Sequence, residues 1–239
     1  MEELFARDFI YVINKSQEMS YSIRKLSHRV PSLTDDSAWK QADLLEISSF
    51  HPKSSNHRPR ATARVLYDPE HLHVLFEAQD QYVVCRNTEY QSLVSKDTCV
   101  EFFAQPKPDK GYFNFEINCG GALLLYYIED PTRMPDRFFR KFTPVPVDLA
   151  ASVRVVSSLP KVIDPELTEP TNWRLSLSVP FSLFENYVGP LGSREGATWR
   201  GNFFKAGGES SHPHWASWSP IGEVLRFHQP QFFRELTFA

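Results

Sequence analysis

The stretch Asp97–Gly121, DTCVEFFAQPKPDKGYFNFEINCGG, decides the fold class of this chain. It predicts two strands joined by a turn, because prolines, an aspartate and a glycine interrupt it over residues 106–111. The second arm alternates strictly, with Phe113, Phe115 and Ile117 on one face and polar side chains on the other. We therefore expect a hairpin with one apolar face and one face rich in carboxylates and amides.

The rest of the chain repeats this pattern of short alternating segments separated by turns. Ala61–Asp80 predicts a second hairpin around residues 68–70, and Trp173–Val179 alternates in the same way. Strands at about ten-residue spacing with turn signals between them favour an all-β antiparallel sandwich. No domain boundary is evident, so we expect residues 1–239 to form a single domain, with residues 1–33 as an N-terminal extension or edge strand.

The composition argues against several classes of partner. With 26 basic and 29 acidic residues, the chain has a formal net charge of −3 and no basic block, so nucleic acid is not expected as a partner. No apolar run reaches the roughly 20 residues of a membrane helix, so no membrane partner is expected either. The N-terminus lacks the basic-then-apolar pattern of a secretion signal, which predicts a cytoplasmic protein. A periplasmic or secreted location would follow if a leader had been removed.

Cysteine, histidine and the familiar catalytic motifs give no strong signal. The cysteines form no CxxC pair, and we expect free, buried thiols at Cys85, Cys99 and Cys119. Imidazole ligands for a metal could come from His212, His214 and His228, a weak pattern because a proline separates the first two. GxSxG, P-loop and HExxH motifs are absent from the sequence.

Two features of the sequence could nevertheless bind a ligand. Trp215 and Trp218 stand in a Gly/Ser/Pro-rich segment, where they either pack down on the sheet or present an aromatic face to a ligand. Such a face suits the C–H side of a sugar ring, and nearby amides and carboxylates suit its hydroxyl groups. Alternatively, Glu101 and Glu116 could serve as the two carboxylates of a glycoside hydrolase, which must lie about 5 to 9 Å apart.

An ordered set of motifs resembles the carbohydrate-binding module family 9-like proteins. The resemblance spans most of residues 35–239 and includes the hairpin at Ala61–Asp80. The other motifs are D-x-x-V-E-F-F at Asp97–Phe103, Y-F-N-F-E-I-N at Tyr112–Asn118, N-W-x-L-x-x-x-V-P-F at Asn172–Phe181, W-R-G-N-F-F-K at Trp199–Lys205, W-S-P at Trp218–Pro220 and F-H-x-P-x-F-F at Phe227–Phe233.

The resemblance implies a jelly-roll-like sandwich of the DOMON type, with a sugar bound on one sheet face. Two tryptophans enclose a terminal sugar in characterised members, and Trp218 matches the second of them. The first would lie just before Asp97, where the segment NTEYQSLVSK offers Tyr90 as its only aromatic residue. The carbohydrate-binding residues that the resemblance predicts are Trp218, Glu101, Asn114, Glu116, Asn202, Lys205 and Tyr90.

From the resemblance we expect a non-catalytic protein that binds a mono- or oligosaccharide through aromatic stacking and polar strand residues. A hydrolase that uses Glu101 and Glu116 on the same scaffold is the alternative. Family members commonly hold structural calcium, for which Asp80 and Asp97 are candidate ligands. Other DOMON-like domains hold haem through methionine and histidine, but the three methionines of this chain fall in no recognisable haem-binding pattern.

Overall fold

Two β-sheets packed face to face carry most of the described chain, which comprises residues 20–26, 31–136 and 138–239 of the computed structural model. The strands in these ranges are β1 (Ser20–Lys25), β2 (Leu45–Glu46), β3 (Ser49–Phe50), β4 (Arg60–Tyr67), β5 (His71–Asp80), β6 (Val83–Cys85), β7 (Thr98–Gln105), β8 (Tyr112–Asn118), β9 (Leu123–Arg133), β10 (Phe139–Pro144), β11 (Arg154–Ser157), β12 (Ile163–Leu167), β13 (Thr171–Pro180), β14 (Thr198–Gly207), β15 (His214–Ser217) and β16 (Arg234–Phe238). The helices are α1 (Asp36–Trp39), α2 (Val147–Ala150) and α3 (Phe181–Val188), with 3₁₀ turns at Val94–Lys96 and Pro230–Phe232. Among the described residues, no helix has the length and apolar character needed to cross a membrane.

The strand order confirms the predicted all-β sandwich. The first sheet runs β10-β9-β8-β7-β14-β16-β1, and the second runs β1-β4-β5-β13-β11. Strand β1 joins both sheets, since it pairs with β16 through residues 20–23 and with β4 through residues 24–25. Both of these pairings are parallel, whereas the other pairings among the described strands are antiparallel, as predicted. Strand β15 extends the first sheet beside β14.

The predicted N-terminal extension is described only in part. Residues 1–19 and 27–30 lie outside the described residues, and Ser20–Lys25 forms the strand β1 that links the two sheets. The assignment of residues 1–239 to a single domain stays a prediction.

Phenylalanines that alternate along β7, β8 and β14 fill the space between the sheets. Phe102, Phe115 and Phe203 are fully buried, and the rings of Phe102 and Phe203 stack with their centroids 4.7 Å apart. Phe203 also approaches Phe76 of the second sheet at 6.2 Å. The inward face is therefore the apolar face that the alternation predicted. The three cysteines are free and buried, as expected.

The turn between β7 and β8 forms over residues 106–111, where its sequence predicted it. Gly111 does not adopt a positive φ there. Its missing side chain instead admits the backbone carbonyl of Ile128 on β9, which a Cβ atom would overlap. Glycine is thus required for the close approach of two strands rather than for turn geometry.

The outward face of the first sheet is only partly covered. The segment 218–233 folds back over one end of it, where Phe227 stacks on Phe204 of β14 at 4.2 Å. The β9–β10 hairpin covers another part with Phe139. Between these two segments and the one that precedes β7, the sheet remains open as a cleft of about 650 Å³.

Candidate functional site

Two carboxyl side chains lie next to each other on the floor of this cleft. Glu101 on β7 is directly opposite Glu116 on β8, and the same row continues to Leu124 on β9 and Phe204 on β14. Directly opposed residues of antiparallel strands have Cβ atoms about 4.5–5.5 Å apart, so the two carboxyl groups are immediate neighbours. Both side chains line the cleft, although the protein buries most of their surface.

The electrostatics of this pair disfavour two negative charges side by side. Burial, and then the charge of Glu116, raises the pKa of Glu101 well above its usual range. The Cys99 thiol donates a long hydrogen bond to Glu101 at 3.7 Å. Glu116 accepts a hydrogen bond from the Asn114 amide at 2.8 Å, and its Oε1 lies 3.4 Å from Nε2 of His228. Two adjacent buried carboxyl groups resist joint ionisation, so the protonated form of Glu101 is favoured more than that of an isolated glutamate.

Three segments form the walls of the cleft, and their side chains combine apolar and aromatic residues with exposed charged ones. The segment before β7 contributes Leu93, and the β9–β10 hairpin contributes Arg133 and Phe138. The segment after β15 contributes Phe227 and His228. The carboxylates therefore lie at the bottom of a cleft whose sides can contact apolar surfaces.

Trp215 and Trp218 lie on opposite faces of the first sheet: Trp215 is on β15, and Trp218 follows its last residue, Ser217, and turns into the core. Trp215 is opposite Ala206 of β14, and it lines the cleft. Trp218 packs in the core between the sheets, where its ring contacts Phe203 edge-on at 6.0 Å. The sugar contact predicted for Trp218 does not fit this position, and Trp215 supplies the indole of the cleft.

Lys205 also points into the core, and this corrects the sugar contact predicted for it. Its Nζ lies 3.0 Å from Oδ2 of Asp80 on the second sheet, and it donates to Nε2 of His214 at 2.8 Å. Nε2 of His57 lies 2.9 Å from the other oxygen of Asp80. Burial alone would raise the pKa of Asp80, but the Lys205 charge and the hydrogen bond with His57 hold it below its usual range. Lys205 therefore completes a buried ion pair that ties the two sheets together.

Two asparagines of the predicted site lie on the outward face but bond to the protein. The Asn114 amide donates to Glu116, and its carbonyl oxygen accepts from the backbone N–H of Tyr126 at 2.9 Å. Asn202 exchanges hydrogen bonds with both backbone groups of Ser219, each at 3.0 Å. Asn114 thus orients a cleft carboxylate, whereas Asn202 anchors the segment that covers one end of the sheet.

Tyr90 does not line the cleft in place of the first tryptophan. Its hydroxyl donates to the backbone carbonyl of Val145 at 2.6 Å, and its ring packs against the core. From the same segment, Leu93 is the side chain that reaches the cleft.

Sequence reasoning missed the wall residues, because they come from irregular segments without a period of two. His228 is the clearest case, since it meets Glu116 through Nε2 and the Tyr112 hydroxyl through Nδ1 at 3.0 Å. Burial lowers the pKa of His228. The sequence singled it out only as a weak metal ligand with His212 and His214, and the structure places His214 beside Lys205 in the interior instead.

The candidate calcium ligands are fully engaged by protein donors. Asp97 accepts hydrogen bonds from the backbone N–H and side-chain amide of Asn87 and from the amide of Asn118, at 2.8–3.1 Å. Asp80 is held by Lys205 and His57. Calcium requires six to eight oxygen ligands, so these carboxylates do not fit it, and structural calcium stays a prediction without assigned ligands.

One histidine–carboxylate cluster among the described residues has the spacing of a metal site. His57, Asp80 and His214 each place a ligand atom within 4.8 Å of the others. The Lys205 ammonium already bonds two of these three side chains, however, and supplies the positive charge that a metal would bring.

Comparisons with known proteins agree with this fold. The family model for carbohydrate-binding family 9 matches residues 30–238. A proposed carbohydrate-binding protein from Bacteroides uniformis is 27% identical, with a TM-score of 0.81 over 92% of this chain and 99% of that chain. A family 9 carbohydrate-binding module from Caldicellulosiruptor kristjanssonii, solved with glucose, is 14% identical, with a TM-score of 0.61 over 92% of this chain and 96% of that one. Its counterpart solved with cellotriose is 13% identical, with a TM-score of 0.59 over 92% and 93%.

No curated protein matches this chain. The family model nevertheless covers most of its length, and the strand order and the inward-facing phenylalanines are those of a sandwich. The chain belongs to carbohydrate-binding family 9.

Proposed function

We propose that this protein is a non-catalytic carbohydrate-binding protein and that its site is the cleft on the outward face of the first sheet. The observation that carries the proposal is the pair of opposed carboxyl groups, Glu101 and Glu116, on the floor of a cleft with aromatic walls. A sugar site needs a few fixed polar groups for hydroxyls and an apolar surface for the C–H face. This cleft provides both.

Each cleft residue has a separate role in the proposal. Glu101 donates a hydrogen bond to one sugar hydroxyl, and Glu116 accepts one from another. Asn114 holds the Glu116 carboxylate in place. Trp215 takes the stacking role that the sequence predicted for Trp218. Each hydrogen bond contributes about 0.5–1.5 kcal/mol net, so we expect modest affinity for a single sugar.

The hydrolase alternative has less support from the geometry. Glycosidases place their two carboxyl groups on either side of the scissile bond. Glu101 and Glu116 are neighbours in one row on the floor of the cleft, so both approach a ligand from the same side. The alternative predicts glycoside turnover that is lost in Glu101→Gln, and assays with chromogenic glycosides test it.

Calorimetric titration tests the binding proposal. The probes are glucose, cellotriose and a panel of other neutral saccharides, since the two Caldicellulosiruptor structures were solved with the first two. We expect saturable binding of at least one probe and a loss of about fivefold in Glu116→Gln, because a charged acceptor contributes about 1 kcal/mol more than a neutral one.

Glu129→Gln is the matched control, because Glu129 lies on β9 and pairs with Lys141 at the surface, outside the cleft. This variant should bind like the wild type. Absence of wild-type binding to every saccharide of the panel would overturn the proposed function. Equal losses of affinity in Glu116→Gln and Glu129→Gln would also overturn it.

A further inference from the structure

Two of the three buried cysteines lie together in the core, outside the cleft. We propose that Cys85 and Cys119 are a redox-active pair, which forms an intramolecular disulfide bond when the protein meets a small-molecule disulfide such as oxidised glutathione. The inference is independent of the proposed function, because the bond forms whichever ligand the cleft binds.

One residue of β7 holds the backbones of both cysteine segments. The carbonyl of Thr98 accepts a hydrogen bond from the backbone N–H of Cys119 at 2.8 Å, and its hydroxyl accepts one from the backbone N–H of Val84 at 3.0 Å. The Cys119 thiol also lies 3.7 Å from the carbonyl oxygen of Val84. Val84 directly precedes Cys85, so the two cysteines are neighbours in space although they are distant in the chain.

The thiol groups of the two cysteines contact each other. The Cys119 thiol forms a hydrogen bond with the Cys85 thiol. A Cβ atom on Gly120 would come within 2.5 Å of the Cys85 sulfur, so a glycine next to Cys119 is needed for this close approach. A disulfide requires side chains that point toward each other from Cα atoms within about 7 Å. Thiols that already share a hydrogen bond point toward each other, so the bond can form without moving the strands apart.

The third cysteine is on the other face of the first sheet. Cys99 is equally buried, but it lies directly opposite Asn118 of β8, and its thiol donates to the carboxyl group of Glu101. Cys119 belongs instead to the core between the sheets. Cys99 is therefore an internal control, a buried thiol of the same chain that contacts a carboxyl group rather than a second thiol.

The surroundings of Cys85 make it the cysteine that reacts first. Its thiol donates to the carbonyl of Lys161 at 3.2 Å, and Lys161 is an exposed residue, so only a thin layer of chain covers the sulfur. The hydrogen bond with Cys119 lowers the pKa of Cys85. The same hydrogen bond, together with burial, raises the pKa of Cys119. Because the thiolate is the nucleophile, Cys85 attacks the incoming disulfide.

The reaction consists of two thiol–disulfide exchanges. The Cys85 thiolate attacks one sulfur of oxidised glutathione, whose S–S bond breaks, and one glutathione leaves as a thiolate that takes up a proton. The Cys119 thiolate then attacks the Cys85 sulfur of the mixed disulfide and expels the second glutathione. The protein loses two protons and two electrons, and the glutathione disulfide gains them as two thiols.

The new bond cross-links one wall of the cleft to its floor strand. Cys85 precedes the segment 86–96, which contributes Leu93 to the wall, and Cys119 follows β8, which carries Glu116. A cross-link between distant residues stabilises a protein mainly by restricting its unfolded chain. We therefore expect the thermal unfolding midpoint of the oxidised protein to exceed that of the reduced protein by about 5–10 °C.

Thiol counting and peptide mapping test the proposal on the full chain. The folded protein is equilibrated with oxidised glutathione in urea below its unfolding transition, so that local opening admits the reagent. The remaining thiols are alkylated in denaturant, and mass spectrometry locates the disulfide. We expect the number of free thiols to fall from three to one, with Cys99 alkylated and Cys85 joined to Cys119.

Cys99→Ala is the matched control, and it should form the same disulfide with the same rise of the unfolding midpoint. Cys85→Ala and Cys119→Ala should each show no rise on oxidation. The wild-type thiol count decides the question even if one of these variants fails to fold.

Three results would each overturn the inference: three free thiols after equilibration, a disulfide that includes Cys99, or glutathione that stays attached to Cys85. A lower unfolding midpoint in the oxidised protein would also overturn it, because the bond would then strain the native structure. None of these results bears on saccharide binding, which the calorimetric titration tests separately.

Discussion

Buried ionisable groups lie on both faces of the first sheet. On one face they form an ion pair, and on the other two carboxyl groups are neighbours. On the inward face, Lys205 and Asp80 carry opposite charges and contact each other at 3.0 Å, with histidines on either side. On the outward face, Glu101 and Glu116 are groups of like charge that lie side by side and open into a cleft. The comparison teaches that burial alone does not separate a structural charge from a candidate binding group. Protein partners saturate the Asp80 carboxylate, whereas the two outward carboxyl groups still line a cleft.

The largest expected effect concerns the inward cluster. Lys205→Met leaves the Asp80 carboxylate buried without its countercharge, so the free energy of unfolding should fall by about 3–5 kcal/mol. Denaturant titration measures it. Lys96→Met is the control, because Lys96 pairs with Glu209 at an exposed position, and its cost should stay below about 1 kcal/mol. Similar decreases in the free energy of unfolding for both variants would mean that the buried ion pair stabilises the protein no more than a surface pair.

The next effect separates two asparagines that look alike in the sequence. Asn114→Ala leaves a partly buried backbone N–H without its acceptor, and Asn202→Ala leaves a buried one, so each should lower the free energy of unfolding by about 1–3 kcal/mol. Only Asn114→Ala also frees the Glu116 side chain. Sugar affinity, measured on folded protein, should fall about three- to tenfold in Asn114→Ala and stay unchanged in Asn202→Ala. If affinity fell in Asn202→Ala and not in Asn114→Ala, the ligand would lie instead at the end of the sheet that the segment 218–233 covers.

A smaller effect appears in the pH dependence of stability. The folded-state pKa of Glu101 is raised above the value of 4.5 expected for the unfolded chain. Its contribution is therefore fully present below about pH 4.5 and is lost as pH rises through the folded-state pKa, with a slope of at most about 1.4 kcal/mol per pH unit. Glu101→Gln removes this contribution, so the stability of the variant should fall less steeply than that of the wild type above pH 4.5.

The contribution of Asp80 to stability depends on pH in the opposite direction. Its pKa is lowered below 3.8 in the folded protein, so its contribution is present above pH 3.8 and is lost as pH falls further. Wild type and Glu101→Gln should therefore share the same loss of stability in acid. If the stabilities of wild type and Glu101→Gln differed only below pH 3.8, the pKa of Glu101 would be lowered rather than raised, as for a carboxylate that protein partners saturate.

The strands that alternate between apolar and polar residues were predictable from the sequence. On β8, phenylalanine and isoleucine mark the inward face, so the polar row with Glu116 could be assigned to the other face. The sequence WRGNFFK of β14 was ambiguous, because Phe203 and Phe204 are both buried, one on each side of the sheet. With both faces apolar, the period of two no longer shows that Lys205 points inward.

Contacts between distant parts of the chain could not be predicted. The partner of Lys205 is Asp80, which lies on the other sheet, and no local pattern connects them. The cleft walls come from irregular segments, whose positions depend on how they pack on the outward face. The two tryptophans could not be assigned to faces from the sequence, because their Gly/Ser/Pro-rich segment predicts no strand and Trp218 lies beyond the end of β15.

The most direct measurement follows the indole N–H signals of the five tryptophans by nuclear magnetic resonance during titration with the saccharide that binds most tightly. Trp215→Phe and Trp218→Phe assign the two signals that matter. If the outward cleft is the sugar site, the Trp215 signal shifts most and saturates with the calorimetric affinity, while the signals of Trp218 and the buried Trp173 stay nearly fixed. A saturating shift at Trp218 with Trp215 unmoved would contradict the assignment of the two faces.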